Sequence, residues 1–381
     1  MSALVRAVAA GSLLAAVAVG VAACGGSAES SEAVAGLVKP CVGKVAVMAP
    51  YGGLEEKDSI QMNWARVALD NFNLLHGTSF VIEPANVSYE VGPGIRAAKR
   101  LADDMSVVGV VGPQTSGVTE KVGPILDAAG LAYVSPSATR ASLTDGTLKG
   151  FYRVVPNDDV QGPAIGNFVA KNLAGRNVVV VDNAETYSLG LADSLQKTLE
   201  GSGVQVTRLS APLGTKSYAA QIARIDSSVD VVVLPFLLAD EAQRFVDELS
   251  AAGRSPKIVG GDSLFVESDF SEAGAYVSSY APDTRETAAG ADLIRLYQTI
   301  FGEFSPFGGP AYLAMEVVLT AALATCDRGV ASRGGVWMAL PTTRLKETIL
   351  GEPIAFDQRH ELVDGTFRIY QIDAGGYRRV G

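Results

Sequence analysis

Short valine-rich runs recur along this chain, each followed by a stretch with helical spacing. They read "KVAVMAP" at residues 44–50, "VVGVVGP" at 107–113, "NVVVVDN" at 177–183 and "DVVVLPF" at 230–236. None alternates apolar with polar residues, so each suits a strand buried on both faces, as in a parallel sheet. Between them lie helical patterns, such as residues 60–75, where Trp64, Val67, Ala68, Phe72 and Leu75 fall on or near one face. Others cover residues 118–129, 189–200 and 240–252. Strand-helix alternation implies right-handed crossovers and a doubly wound α/β sheet. After residue 150 the order starts again, which predicts two similar units. Two further helices, near residues 290–301 and 310–325, and a Gly-punctuated strand region at the end must pack onto them. A length of 381 residues with 48% hydrophobic and 19% charged residues accommodates two such units without long disorder.

The formal net charge of −10 argues against nucleic acid as a partner. At the N-terminus, Arg6 precedes an apolar stretch rich in Ala and Gly, the layout of a secretory signal over residues 1–23. It ends in Val21-Ala22-Ala23-Cys24, which resembles the lipobox of bacterial lipoproteins. That resemblance implies cleavage before Cys24, acylation of that cysteine, and membrane attachment through the lipid alone. Residues 24–41, small and polar at first, read as a flexible tether. Cys41 and Cys326 are either a disulfide or two buried thiols, because outside the cytoplasm a pair tends to oxidise but sequence does not bring the two together.

Catalytic signatures are scarce. The two histidines, His76 and His360, fall at a helix end and in a charged turn. There is no G-x-S-x-G, H-E-x-x-H or C-x-x-C pattern and no metal-ligand spacing. The hydroxyl-rich "LAYVSPSATRASLT" at residues 131–144 has no histidine placed to activate a nucleophile. Gly92-Pro93-Gly94-Ile95-Arg96-Ala97 follows the second strand and reads as a helix start rather than a dinucleotide loop. No cofactor or metal is expected, and an enzyme such as an amide hydrolase is disfavoured.

Polar strand exits remain. In parallel α/β sheets, ligands gather at the carboxyl ends of strands, where helix N-termini favour anions. Gln114, Thr115 and Ser116 occupy one such exit and Ser137, Ala138 and Thr139 its neighbour, offering hydroxyl and N–H groups to a carboxylate. The second unit offers Tyr187, Phe236 or Leu237, and Asp262 at its exits. A carboxylate there suits an ammonium, although a turn aspartate is as often a helix cap.

The ordered set "VVGPQTSG", "AYVSPSATRASLT", "GFYRVVPNDDVQGPAI", "DNAETYSLGLADSLQ" and "PIAFDQRHELVDGTFRIYQI" resembles the type I periplasmic binding proteins of the branched-chain amino acid class. The resemblance implies two doubly wound parallel-sheet lobes joined by three hinge crossovers. Lobe one takes residues 42–156 and 283–350, and lobe two takes 157–282 and 351–381. It implies that Thr115 or Ser116, with Ser137, Ala138 and Thr139, holds a ligand carboxylate. It also implies that Tyr187 packs on the ligand and that Asp262 receives its amino group. The first ligand loop, "APYGGLEEKDSIQMNWAR", departs from the family pattern. Lys57 falls near the ligand position and either admits a more polar or acidic ligand or faces solvent. The implied protein is a monomeric extracytoplasmic lipoprotein that passes an amino acid, or a related carboxylate or amide, to the permease of an ABC importer. A sensory module of the same fold is the alternative.

Overall fold

The computed structural model describes residues 39–50, 59–266, 268–282, 284–288, 290–302, 308–374 and 376–381. The signal segment, Cys24, most of the tether and Lys57 lie outside the described residues. By its contacts the unit considered below runs from Pro40 to Gly381.

Two sheets organise this unit. In the first, the strand order is β2-β1-β3-β4-β5, all parallel. These strands are β1 (Val42–Ala49), β2 (Ser79–Asn86), β3 (Val107–Val111), β4 (Tyr133–Ser135) and β5 (Phe151–Arg153). They alternate with α1 (Ile60–His76), α2 (Val91–Asp103) and α3 (Ser116–Ala128). After α4 (Asp158–Lys171) the second sheet is built from β6 (Asn177–Asp182), β7 (Gln205–Ser210), β8 (Val231–Leu234), β9 (Lys257–Gly260) and β10 (Tyr276–Ser279). Between these strands lie α5 (Thr186–Gly201), the short α6 (Ala219–Ile222) and α7 (Ala239–Ala251). Then come α8 (Gly290–Phe301), α9 (Gly309–Ala324), α10 (Arg333–Ala339), β11 (Arg368–Asp373) and β12 (Gly376–Arg379). The second sheet has the order β12-β11-β10-β9-β8-β6-β7, and β10, β11 and β12 pair antiparallel. The parallel expectation therefore holds for the interior of that sheet and gives way at one edge, where β11 returns from the first sheet to lie antiparallel on β10 and a short turn folds β12 back on β11 as a hairpin.

The valine runs explain themselves in the packing. In β1, Val45, Val47 and Ala49 join the core beneath α1 and α9, while Ala46 and Met48 join the core on the opposite face. In β6, Val179 and Val181 face one core and Val178 and Val180 the other. Residues 45–49 and 178–181 are all buried, so no polar alternation is tolerated there. Each such side chain contributes about 1.5–3 kcal/mol through removal from water.

Helix α9 is apolar on nearly every side, Glu316 and Thr320 excepted, and is buried along most of its length against α1, β3, β4 and α10. It returns to the first sheet long after the chain has left it. Trp64 of α1 stacks on Tyr297 of α8 at 4.8 Å, which secures the other returning helix. Ile354, Phe356 and Phe367 still pack in the first sheet's core, so the chain rejoins the second sheet only at Arg368. Cys41 and Cys326 form a disulfide with a Cα–Cα distance of 6.1 Å, tying the entrance of β1 to the loop after α9.

Helix ends follow local chemistry. Ser59 caps α1 by accepting from the Met62 N–H, and Gly77 closes it at φ 61°. His76 ends that helix beside Phe72. His360 is not a solvent-facing turn residue. It is partly buried, its ring stacks on Tyr152 at 4.0 Å and its Nδ1 meets the Phe151 carbonyl at 3.1 Å.

Candidate functional site

The carboxyl ends of both sheets open onto one cavity of about 280 Å3. The first sheet contributes Tyr89, Gln114, Thr115, Ser116 and Ser137. The second contributes Tyr187, Leu237, Leu238, Ala239, Asp240, Asp262, Ser263, Val266 and Asp269.

The first wall is made by two neighbouring strand exits that bind each other. Beyond β3 the chain turns through Gly112 at φ 100°, where a Cβ would collide with the Met48 carbonyl. Thr115 then caps α3, its Oγ1 accepting from the Val118 N–H at 3.4 Å. Beyond β4, the Ser135 hydroxyl donates to the Pro113 carbonyl at 2.6 Å and accepts from the N–H groups of Ser137 and Ala138. The Ser137 hydroxyl donates to the Gln114 carbonyl at 2.8 Å and accepts from Gln61 Nε2 at 3.1 Å. Ser116 Oγ accepts from the Arg140 N–H at 3.2 Å. These bonds fix the rim, and the N-terminus of α3 faces the cavity with its partial positive charge.

Two residues expected on this wall sit behind it. Ala138 is fully buried, with its N–H taken by Ser135 and its carbonyl by Arg153. Thr139 is fully buried, with its hydroxyl beside the Asp158 carboxyl. A hydroxyl-rich loop supplies its own interior before it supplies a ligand, so these two shape the rim from within.

On the second wall, Asp262 follows β9 and is 3% exposed. Gln161 Nε2 donates to its Oδ1 at 2.6 Å, and the Tyr187 hydroxyl donates to the same oxygen at 2.8 Å. Gly261 lets Tyr187 come this close, because a Cβ there would meet the phenol oxygen. Burial pushes the Asp262 carboxyl up to about 6, against the pull of Gln161 and Tyr187. Asp158, at the start of α4, is pushed up to about 7 by burial, with Thr139 opposing and the Asp262 charge adding.

Phe236 does not line the cavity. It is fully buried among Tyr218 and Phe245, at 6.1 Å and 6.0 Å between ring centroids, and its carbonyl accepts from the Ser263 hydroxyl. The next residue, Leu237, does line it. One step along an extended segment reverses the side chain's direction.

The two walls also touch. Arg140 Nη1 donates to the Thr186 carbonyl at 2.6 Å. Glu185 caps α5 by accepting from the Tyr187 N–H at 2.7 Å. The same carboxylate lies over Gly117 of α3, where a Cβ would collide with its Oε1. One anion therefore sits between two helix N-termini.

Tyr89, Leu238, Asp240, Ser263, Val266 and Asp269 had not been singled out from sequence. Tyr89 lies beyond β2 and Asp240 opens α7, so the strand-exit rule reaches both. Val266 and Asp269 follow a short 3-10 turn (Asp262–Leu264) and carry no comparable signal. Among the described residues no group of His, Cys, Asp and Glu is arranged to hold a metal ion, and no helix is long and apolar enough to cross a membrane.

Residues 44–377 match the profile of a family described as periplasmic binding protein. A Leu/Ile/Val-binding protein, BraC3, of Rhizobium johnstonii is 29% identical over 358 residues, covering 89% of this chain and 91% of that protein. Among solved structures, the leucine binding protein LivK of Thermotoga maritima superposes with a TM-score of 0.80 at 21% identity, covering 89% of this chain and 97% of its own. The branched-chain amino acid transporter substrate binding protein LivJ of Streptococcus pneumoniae, in complex with isoleucine, gives 0.78 at 25% identity, covering 89% and 99%.

Proposed function

The chain belongs to the periplasmic binding protein family, in its branched-chain amino acid class, and from that premise we propose that it captures an amino acid or a related small carboxylate or amide between two lobes. The family consists of solute-binding proteins rather than enzymes and works outside the cytoplasm. The observation that carries the proposal is the single cavity lined from one side by Thr115, Ser116 and Ser137 and from the other by Asp262. Hydroxyls and the N-terminus of α3 suit a carboxylate, and a buried aspartate suits an ammonium. A zwitterion has both groups on one carbon, so it satisfies both walls only when they stand close. Tyr187 acts by holding Asp262, and Leu237 covers the ligand's side chain.

The lobes are residues 42–156 with 283–350 and residues 157–282 with 351–381, the stretch 351–367 being the last crossover, whose Ile354, Phe356 and Phe367 still pack on the first sheet's core before the chain enters the second sheet. Ligand closes the lobes by hinge motion, and the closed form presents itself to the permease of an ABC importer. Supporting that delivery step, the LivJ relative is a transporter substrate binding protein. Cys24 carries the lipid that holds the receptor at the outer surface of the cell membrane, and the receptor acts as a monomer. Replacing Cys24 by Ala is expected to abolish incorporation of labelled fatty acid into the protein, read by metabolic labelling.

The test is a thermal-shift screen of the full-length protein in detergent against amino acids, amides and aromatic acids. A true ligand at ~100 times its Kd raises stability by about 2.7 kcal/mol. Stabilisation by aromatic acids alone, with no amino acid active, contradicts the zwitterion reading.

A further inference from the structure

Among the described residues, the charged side chains that line the cavity are all of one sign. Asp240, Asp262 and Asp269 line it, and among the described residues no lysine, arginine or histidine does. Asp262 is 3% exposed, and the side-chain donors that reach it, Gln161 and Tyr187, both end on Oδ1. A buried carboxylate without a cation is costly, so a ligand that brings one gains the pairing energy. Asp240 opens α7 and Asp269 follows the 3-10 turn, and among the described residues neither joins an ion pair. The three are not clustered as metal ligands. Leu237 and Val266 supply the apolar surface of the same cavity. Tyr89 also lines it, close enough to Asp269 and Asp240 that their charges add to burial in raising its phenol pKa.

We propose that the ligand is a dibasic amino acid, whose α-ammonium pairs with Asp262 and whose side-chain cation is received by Asp240 and Asp269 beside Tyr89. This rests on the cavity being the amino-acid site. The methylenes of such a side chain lie along Leu237 and Val266, in the way long basic side chains keep an apolar stem dry and a charged head wet. An aromatic face beside the cation adds attraction. A neutral branched side chain fills the apolar surface but leaves Asp240 and Asp269 unpaired.

The experiment is isothermal titration of the full-length protein in detergent with L-lysine, L-ornithine, L-norleucine and L-leucine at low salt. Norleucine keeps the length of lysine's carbon chain and lacks its terminal ammonium. Lysine or ornithine is expected to bind at least tenfold more tightly than norleucine and leucine. In the Asp240→Asn/Asp269→Asn double variant the ratio of lysine to norleucine affinity is expected to fall toward one. Both positions are exposed, so folding is expected to survive, and a far-UV circular dichroism spectrum checks it. Leucine or norleucine binding as tightly as lysine overturns the dibasic assignment and leaves the amino-acid reading standing. An unchanged ratio in the double variant overturns the assignment of the two aspartates. Failure of all four to bind overturns the dibasic assignment, and the thermal-shift screen then decides the amino-acid reading.

Discussion

The guanidinium of Arg153 is fully buried and donates to the Ala138 carbonyl at 3.0 Å and the Arg140 carbonyl at 2.8 Å, holding the rim loop from below. Its other face pairs with Glu361, Nε to Oε2 at 2.8 Å, and Asn157 and Thr144 donate to the same carboxylate. Burial alone would raise the Glu361 carboxyl, but Arg153, Thr144 and Asn157 outweigh it and hold it below its ordinary value. A depressed carboxyl contributes stability that is present above its unfolded pKa and is lost as pH falls through the folded one. Removing the guanidinium by Arg153→Met leaves that carboxylate buried and unpaired. It is expected to cost about 3–5 kcal/mol, read by chemical denaturation at pH 7. Asp262 works with the opposite sign. Its folded pKa of about 6 lies above the unfolded value, so the unliganded protein loses stability as pH rises from about 4 to 6. Ammonium binding needs the ionised form, so amino-acid affinity is expected to fall as pH drops through about 6, measured by titration between pH 5 and 8. These roles were only partly legible. Asp262 stood out as an acid at a strand exit, whereas nothing in "FYRVVP" or "QRHEL" announces that Arg153 and Glu361 meet across 208 positions.

Helices α3 and α5 meet at their N-termini, and both positive ends share the Glu185 carboxylate. Gly117 is the position that permits it. Gly117→Ala inserts a methyl where Glu185 lies and is expected to weaken amino-acid binding at least tenfold while leaving the far-UV spectrum unchanged. Small-angle scattering with ligand present is expected to show a larger radius of gyration than wild type. At this scale most strands and long helices could be read in advance, because a strand buried on both faces must be apolar throughout and a surface helix must keep one apolar stripe. The helix expected at residues 290–301 is α8. The antiparallel edge at β11 and β12 was not legible, since a strand's direction in a sheet depends on its neighbour rather than on its own pattern. Phe236 and Leu237 show the limit at strand exits, where periodicity stops and register is set by what the core accepts. The expectation drawn from Lys57, a more polar or acidic ligand or else a solvent-facing side chain, concerns a residue outside those described.

For the molecule as a whole, the chain leaves the first sheet after β5, returns to it as α8 and α9, and departs again at Arg368. The trailing elements by themselves required only a core to pack on; it was the resemblance that implied their return, by grouping residues 283–350 with the first unit. The Cys41–Cys326 disulfide closes this path across 285 positions. Replacing both cysteines by Ser is expected to cost about 2–4 kcal/mol and lower the Tm, with ligand selectivity unchanged, measured by calorimetry. The central claim is that Asp262 grips an ammonium while the opposite wall grips a carboxylate. It is tested most directly by isothermal titration of wild type and Asp262→Asn with whichever amino acid stabilises the protein most. Removing one charge of a buried pair costs about 2–5 kcal/mol, so the variant is expected to bind about 100-fold more weakly at pH 7.5. Equal affinity in the two proteins contradicts the account.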